Sequence, residues 1–180
     1  LVVRRDKIGD TLLTLPAVTQ LKRYFPKSEI VFLCAPSLLP LVEGATDKLS
    51  PDELKSFQVA IVLWEKEGLS RKLLFNRVPL RFGLVSKLES VLFLNCGTCQ
   101  KRSLGEKSEA EYNLDIVDQV AKHVKKPLLD RKFSITLSVS IPEKQKAEAI
   151  ISGLNLKEKQ FTIFHPGQAG SALNFTAEKY

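Results

Sequence analysis

The chain has 180 residues, of which 44% are hydrophobic and 26% are charged, a composition typical of a folded globular protein. No apolar run reaches the roughly 20 residues that a membrane-spanning helix needs. The formal net charge of +7 favours anionic partners, but the basic residues are spread along the chain and form no dense block of the kind that binds nucleic acid.

Both ends of the sequence indicate a piece of a longer protein. There is no methionine, so no initiator is present. Leu1 begins inside an apolar stretch that predicts a strand, and Tyr180 ends inside a stretch that predicts the start of a helix. We therefore expect the natural protein to extend beyond this sequence.

Three cysteines, Cys34, Cys96 and Cys99, argue against a disulfide-stapled secreted domain, because their number is odd and their spacing irregular. Cys96 and Cys99 have the spacing of half a zinc site or of a redox pair. A closed zinc site needs about four ligands, and the remaining soft donors are Cys34, His123 and His165, on distant elements. We therefore predict neither a metal site nor a redox function.

The first 35 residues predict one strand–helix–strand unit. Residues 1–4 form a short, mainly apolar run, and Leu13, Ala17, Leu21 and Tyr24 then recur at helical spacing. Pro16 falls early in that helix and is expected to kink it. The pair Phe25-Pro26 ends it, and residues 29–35 form a near-continuous apolar strand of the type found in parallel sheets.

The same alternation continues along the chain and predicts an α/β fold with a mainly parallel sheet. We expect strands at 57–63, 80–83 and 161–165, a short helix or turn at 36–43, and helices at 68–76, within 87–94, and at 114–124. Residues 101–111 predict a loop, and 133–141 an edge strand or a linker between domains. Pro142 opens another helix, whose inward residues are expected to be Ala147, Ile150, Ile151 and Leu154. The composition changes near this linker, which predicts one domain over 1–138 and the start of a second over 139–180.

Residues 6–11 follow the first strand, and ligands of parallel sheets bind beyond the carboxyl ends of the strands. Gly9 permits a tight turn or close approach of a ligand. Asp10 has two interpretations of about equal weight, a helix N-cap assisted by Thr11 or a base that takes a proton from a hydroxyl group. Lys7 and Arg5 are candidates for phosphate binding or are solvated charges.

Residues 165–175 form a second loop at the end of a predicted strand. Gly167 and Gly170 would expose backbone amides near a helix start, an arrangement that favours anions such as a diphosphate. The loop matches neither a Walker motif nor the dinucleotide-binding fingerprint. His165, at the strand end, is a structural histidine or a ligand contact.

Four segments, taken in order, resemble glycosyltransferase family 9, the family of the lipopolysaccharide heptosyltransferases. The first runs from Val2 to Ala17, combines Gly9-Asp10 with Leu15-Pro16-Ala17, and is followed by Phe25-Pro26. The other three run from Val78 to Gly83, from Glu109 to Asp115, and from His165 to Phe175. The resemblance covers nearly the whole chain.

This resemblance implies a GT-B fold, in which two Rossmann-like domains face each other across the active site. It implies transfer of a sugar, heptose in most members, with inversion and without a metal or other cofactor, from a nucleotide sugar such as ADP-heptose to a lipopolysaccharide core acceptor. Asp10 would be the catalytic base. The donor contacts would be His165, Gly167, Gly170 and Ser171, and the acceptor contacts Gly9, Lys7, Arg5, Arg81 and Arg102. The protein would lie in the cytoplasm, peripherally at the inner membrane, with an anionic glycolipid as partner and no nucleic acid.

Three departures from the family pattern keep other interpretations open. Leu173 and Phe175 stand where many members carry lysine and tryptophan, and Ser108 stands where a histidine is common. One alternative is a non-catalytic protein of the same fold that binds sugar nucleotides or other anions. Another is a different α/β enzyme such as a Rossmann oxidoreductase, which the missing glycine fingerprint after the first strand disfavours.

Overall fold

The computed structural model of the chain describes residues 1–44, 46–49, 54, 57–66, 68–135, 137, 139–154, 156 and 161–162. The chain divides into two compact units, Leu1–Ser138 and Val139–Tyr180. The first contains a parallel sheet with helices on both faces, which confirms the predicted α/β class. None of the helices in the described ranges is long and apolar enough to cross a membrane.

The sheet of the first unit has six strands, and each pair of neighbours is parallel. The spatial order is β3-β2-β1-β4-β5-β6, which is the order of a Rossmann-type sheet. The strands are β1 Val2–Val3, β2 Val31–Leu33, β3 Lys48–Leu49, β4 Val59–Val62, β5 Leu80–Leu84 and β6 Cys96–Thr98. Strand β1 lies near the centre of the sheet, with β2 and β3 on one side and β4 to β6 on the other, so the strand order reverses between β1 and β4.

The described parts of the chain contain seven α-helices, of which α1 to α6 belong to the first unit and α7 to the second. They are α1 Ile8–Leu12, α2 Leu15–Tyr24, α3 Leu39–Val42, α4 Leu69–Phe75, α5 Leu88–Phe93, α6 Glu109–His123 and α7 Ile141–Gly153, with short 3-10 helices at Pro36–Leu38 and Arg102–Leu104. The predicted kink is confirmed as a break between α1 and α2, with Pro16 in the first turn of α2. Phe25 ends α2, as the Phe-Pro pair predicts.

Two apolar layers hold the unit together, one on each face of the sheet. Successive strand residues point to opposite faces, so Val2 belongs to one layer and Val3 to the other. The larger layer packs α2 and α6 over the strands, with Phe32 and Ile116 fully buried. The smaller layer lies under α4, with Leu73 at its centre.

The second unit contains helix α7, and Ser140 begins it with a capping box. The Ser140 hydroxyl accepts from the backbone N–H of Glu143, while the Glu143 carboxylate accepts from the backbone N–H of Ser140. The predicted inward face of this helix is wrong in the described structure, because α7 has no buried residue. Its exposed apolar residues are Ile141, Ile150 and Leu154.

One other prediction needs correction. Residues 101–111 are not all loop, because a 3-10 helix covers Arg102–Leu104 and α6 already begins at Glu109. Ser108 explains this early start: its hydroxyl caps the backbone N–H of Glu111 in a capping box. The described residues of 133–140 form no strand, which leaves the linker of the two alternatives predicted there. The edge strands β3 and β6 were not predicted, since one has two residues and the other carries a central glycine.

Candidate functional site

The carboxyl ends of β1 and β4 meet where the strand order reverses, and open α/β sheets bind their ligands at such points. Arg4 stands there, immediately after β1. Its backbone N–H donates to the carbonyl oxygen of Leu33, and its Nη1 donates to the carbonyl oxygen of Leu63 at 3.3 Å. The Arg4 side chain is thus fixed across the ends of three neighbouring strands.

Three carboxylates surround the guanidinium of Arg4. Its Nε donates to Oδ1 of Asp6 at 2.7 Å, and its Nη1 donates to Oε1 of Glu109 at 2.8 Å. Its Nη2 lies 3.2 Å from Oδ1 of Asp10. The Arg4 side chain is only 6% exposed, whereas that of Asp10 is 34% exposed. The buried guanidinium of Arg4 therefore holds the partly exposed carboxylate of Asp10 near the carboxyl end of β1.

Asp10 does not cap a helix. It is the third residue of α1, whose N-cap position is Lys7, and no side chain caps that end. Thr11 is buried and gives no cap either, since its hydroxyl has no hydrogen-bond partner among the described residues. Asp10 nevertheless lies in the first helical turn, where the helix dipole favours a negative charge. Of the two interpretations of Asp10, the helix cap is therefore wrong, and its role as a base stays a prediction.

The charges of this cluster shift the pKa values of its members in opposite directions. Burial lowers the pKa of Arg4, but the hydrogen bond to Asp6 and the three carboxylate charges outweigh it, so the net shift is upward. Burial raises the pKa of Asp6 above its ordinary value, although the hydrogen bond from Arg4 acts against this. Burial lowers the pKa of Arg102, with Arg4 adding to the shift and Glu109 opposing it.

Arg102 joins the cluster through Glu109 and not through Asp10 directly. Its Nη1 pairs with Oε1 of Glu109, and its Nη2 donates to Oδ1 of Asn113 at 3.2 Å. Its guanidinium also lies over the ring of Tyr112, 5.4 Å from the centroid. Arg102, which was predicted to contact the acceptor, is thus a half-buried residue whose guanidinium is already bound to side chains of α6.

Asn113 ties α6 to the break between α1 and α2. Its Nδ2 donates to the carbonyl oxygen of Leu13 at 3.2 Å, and its side chain is fully buried. The backbone N–H of Ala17, which would normally pair with that carbonyl, bonds Thr14 instead. The Thr14 hydroxyl in turn donates to the backbone carbonyl of Asp10 at 2.9 Å. The position of Asp10 is therefore fixed through its backbone as well as its carboxylate.

The remaining predicted residues of the first loop lie at the exposed rim of the same site. Arg5, Lys7 and Gly9 are exposed. Gly9 sits inside α1 and needs no special backbone conformation, so the expected tight turn is wrong there. A Cβ atom at Gly9 would meet nothing within 4 Å, so the space beside Gly9 is open. The contacts of these three residues with an acceptor stay a prediction.

Arg81 is not part of this site, and its predicted contact with the acceptor is corrected. It is the second residue of β5, near the amino end of the strand, and is 8% exposed. Its guanidinium donates to the carbonyl oxygens of Phe93 and Val78 at 2.7 and 2.5 Å. Gly83 in the same motif is needed for packing, because a Cβ there would lie 2.6 Å from the carbonyl oxygen of Val62. The conspicuous Arg-x-Gly pattern is structural here.

The predicted donor contacts His165, Gly167, Gly170 and Ser171 lie outside the described residues, as do Leu173 and Phe175. Within the described ranges, no group of three or more metal-binding side chains occurs. Cys34, Cys96 and Cys99 are free thiols, and Cys96 lies 4.0 Å from Nδ1 of His123.

Sequence reasoning missed the two residues that organise the site, Arg4 and Glu109. Arg4 was assigned to the first strand, and Glu109 to a loop. An arginine directly after a buried central strand could have indicated the site, because a charged side chain buried there needs carboxylate partners. Its partner Glu109 comes from 105 residues further along the chain, a separation that no local pattern can bridge.

No protein-family model matches the chain. One curated relative, a Haemophilus influenzae protein whose name places it among the glycosyltransferases, is 26% identical over 200 residues. The match covers 100% of this chain and 57% of that relative. The chain therefore spans little more than half the length of the relative.

Solved structures share the fold. A glycosyl transferase of family 9 from Veillonella parvula superposes with a TM-score of 0.76 at 17% identity, covering 99% of this chain and 56% of that one. The Escherichia coli ADP-heptose lipopolysaccharide heptosyltransferase II gives 0.62 at 15% identity, covering 88% and 51%. The E. coli heptosyltransferase WaaC with ADP gives 0.56 at 16% identity, covering 74% and 50%. The resemblance to family 9 is thus confirmed, and the fold is that of about half of a GT-B glycosyltransferase.

Proposed function

We propose that this chain forms the acceptor side of an inverting glycosyltransferase, which moves heptose from ADP-heptose to an anionic lipopolysaccharide core sugar. The observation that carries the proposal is the partly exposed Asp10 carboxylate, held by the buried Arg4 at the point where the strand order reverses. The relatives that share the fold support the choice of a sugar-transfer reaction.

The proposed step uses Asp10 as a general base. An acceptor hydroxyl oxygen attacks the anomeric carbon of the donor sugar, while the Asp10 carboxylate takes the hydroxyl proton. The bond between the anomeric carbon and the diphosphate oxygen breaks, and ADP leaves with the electron pair. Attack from the face opposite the leaving group inverts the anomeric configuration, and no metal or other cofactor takes part.

The buried cluster gives Asp10 a fixed direction. Arg4 contacts Oδ1 of Asp10, which leaves the second carboxylate oxygen for the acceptor hydroxyl. The exposed Lys7 and Arg5 lie beside it and would contact acceptor phosphates. The donor would be held by His165, Gly167, Gly170 and Ser171. A formal charge of +7 suits an anionic glycolipid at the cytoplasmic face of the inner membrane.

The proposal is tested by incubating the intact protein with ADP-heptose and a phosphorylated core acceptor in excess EDTA. We expect ADP release that depends on the acceptor, and a product whose anomeric configuration is opposite to that of the donor. Tight ADP-heptose binding by calorimetry without transfer to any acceptor of a panel would contradict catalysis and favour a non-catalytic sugar-nucleotide-binding protein.

A further inference from the structure

Helix α5 buries a polar residue and exposes its apolar side chains, the reverse of an ordinary surface helix. Its buried residue is the polar Ser90, whose hydroxyl donates to the carbonyl oxygen of Lys87. Its exposed residues are apolar: Leu88 is 76% exposed, Val91 57% and Leu92 63%. Residues at spacings of three and four share one side of a helix, so these three form one outward apolar face. A surface helix normally turns this face toward the core.

The neighbouring helix α4 extends this surface. Leu69 and Leu73 fill the core beneath it, while Leu74 and Phe75 remain exposed, Phe75 by 74%. The first turns of the two helices adjoin, since Nε of Arg71 lies 3.9 Å from Oε1 of Glu89.

Both helices follow parallel strands and therefore run in the same direction. We call Leu74, Phe75, Leu88, Val91 and Leu92 the α4–α5 apolar face. It lies over the smaller core layer, on the side of the sheet opposite α2 and α6.

The charged residues near this face are mainly basic. Between residues 68 and 95 the exposed charged side chains are those of Arg71, Lys72, Arg77 and Lys87. The acidic residues are Glu89, half-buried next to Arg71, and Glu65, half-buried before α4, whose carboxylate accepts from the backbone N–H of Ser70. Apolar side chains ringed by lysine and arginine match the boundary of an anionic bilayer, where acyl chains lie beneath negatively charged headgroups.

We propose that the α4–α5 apolar face docks this protein on an anionic lipid bilayer. Its apolar side chains enter the headgroup boundary, and Arg71, Lys72, Arg77 and Lys87 contact the lipid phosphates. Another segment of the same protein, or a second copy, would bury the apolar side chains equally well but would gain nothing from a basic rim. The inference rests on the proposed function only in that a lipid-linked acceptor requires a membrane.

The test is co-sedimentation of the intact protein with vesicles that contain either phosphatidylcholine alone or phosphatidylcholine with phosphatidylglycerol. We expect binding to the anionic vesicles only. The variant Leu88→Ser/Leu92→Ser should lower the vesicle partition coefficient about tenfold or more, because apolar burial and headgroup attraction act together. Lys72→Glu/Arg77→Glu should lower it by a similar factor without altering the apolar residues.

Val124→Ser/Lys122→Ser is the matched control, since it removes an exposed apolar and a basic side chain from α6 on the other side of the sheet. It should bind vesicles like the unaltered protein. Unchanged binding by both α4–α5 variants would overturn the proposal, and so would a shift in oligomeric state caused by those variants alone. Because the assay contains no donor or acceptor, its failure leaves the proposed transfer reaction standing, and transfer to a water-soluble acceptor checks that reaction separately.

Discussion

At the scale of single residues, Arg4 decides how the candidate site is built. Its guanidinium bonds Asp6 and Glu109 and lies next to Asp10, so this buried cation contacts three carboxylates, one of which also pairs with Arg102. Removing one partner from such a buried arrangement leaves uncompensated charge, which is more damaging than replacing the whole group. Arg4 therefore links the stability of the first unit to the geometry of its proposed base.

We predict that Arg4→Ala lowers the free energy of unfolding by about 3 kcal/mol at neutral pH. Part of this loss should be recovered as the pH falls. Burial already raises the pKa of Asp6, and without Arg4 the folded-state pKa rises further, so the folded protein takes up a proton that the unfolded chain does not. The variant is therefore fully destabilised when the pH lies above the pKa of Asp6 in the folded state. The destabilisation decreases as the pH falls toward the pKa of Asp6 in the unfolded chain.

Thermal unfolding of the unaltered and variant proteins measures this effect when the pH is lowered stepwise from neutral toward about 4, the pKa of an unperturbed aspartate. The control is Lys7→Ala, which removes an exposed cation from the same loop and should change stability by less than about 0.5 kcal/mol. An Arg4→Ala variant as stable as the control, or one that loses further stability relative to the unaltered protein on acidification, would contradict the role assigned to Arg4.

At the scale of elements, the segment after α6 is fastened to two helices. Nη2 of Arg131 lies 2.7 Å from Oδ1 of Asp115 and 2.6 Å from Oδ2 of Asp118. The Tyr24 hydroxyl accepts from the backbone N–H of Leu129 at 3.0 Å and donates to Asp118. Burial raises the pKa of Asp115, but hydrogen bonds from Lys107 and Arg131 outweigh it and leave the pKa lowered. The chain is therefore held to α2 and α6 as far as Arg131.

We predict that Arg131→Ala speeds hydrogen exchange of the Leu129 amide about tenfold, since the three charge-assisted hydrogen bonds from Arg131 to Asp115 and Asp118 are lost. Lys132→Ala, which changes the exposed neighbouring residue, should leave the exchange rate unaltered. Equal exchange in the two variants would show that Arg131 does not fasten the segment.

Elements with strong local signals were predictable from the sequence, and those that depend on distant partners were not. The strands with continuous apolar residues, β1, β2 and β4, were all found, as was β5 after Pro79 and the break at Pro16. The start of α6 was placed too late because the Ser108–Glu111 capping box was overlooked. Strand β6 shows only Cys96, Gly97 and Thr98, and it is defined by its pairing with β5 rather than by its own pattern.

At the scale of the whole molecule, the strand order brings the site together. Local patterns predict a parallel sheet, but they do not predict that β1 lies between β2 and β4. That order places the carbonyl oxygen of Leu63 next to Arg4. Helix α6, which packs on the sheet much later in the chain, places the Glu109 carboxylate next to Arg4 as well. The sequence motif therefore pointed to Asp10, which the structure places partly exposed beside Arg4, whereas the residues around it needed the three-dimensional structure.

The central claim is that Asp10 is the base of a sugar-transfer reaction, and the Asp10→Asn variant of the intact protein tests it most directly. Asparagine keeps the size of the side chain but cannot take up the acceptor proton. We expect kcat for ADP release in the presence of acceptor to fall by about 100-fold or more, with ADP-heptose binding unchanged. Asp47→Asn, at a carboxylate that pairs with Lys22 and the backbone N–H of Ile30 away from this site, is the control and should transfer sugar normally. Transfer by Asp10→Asn at the unaltered rate would contradict the account.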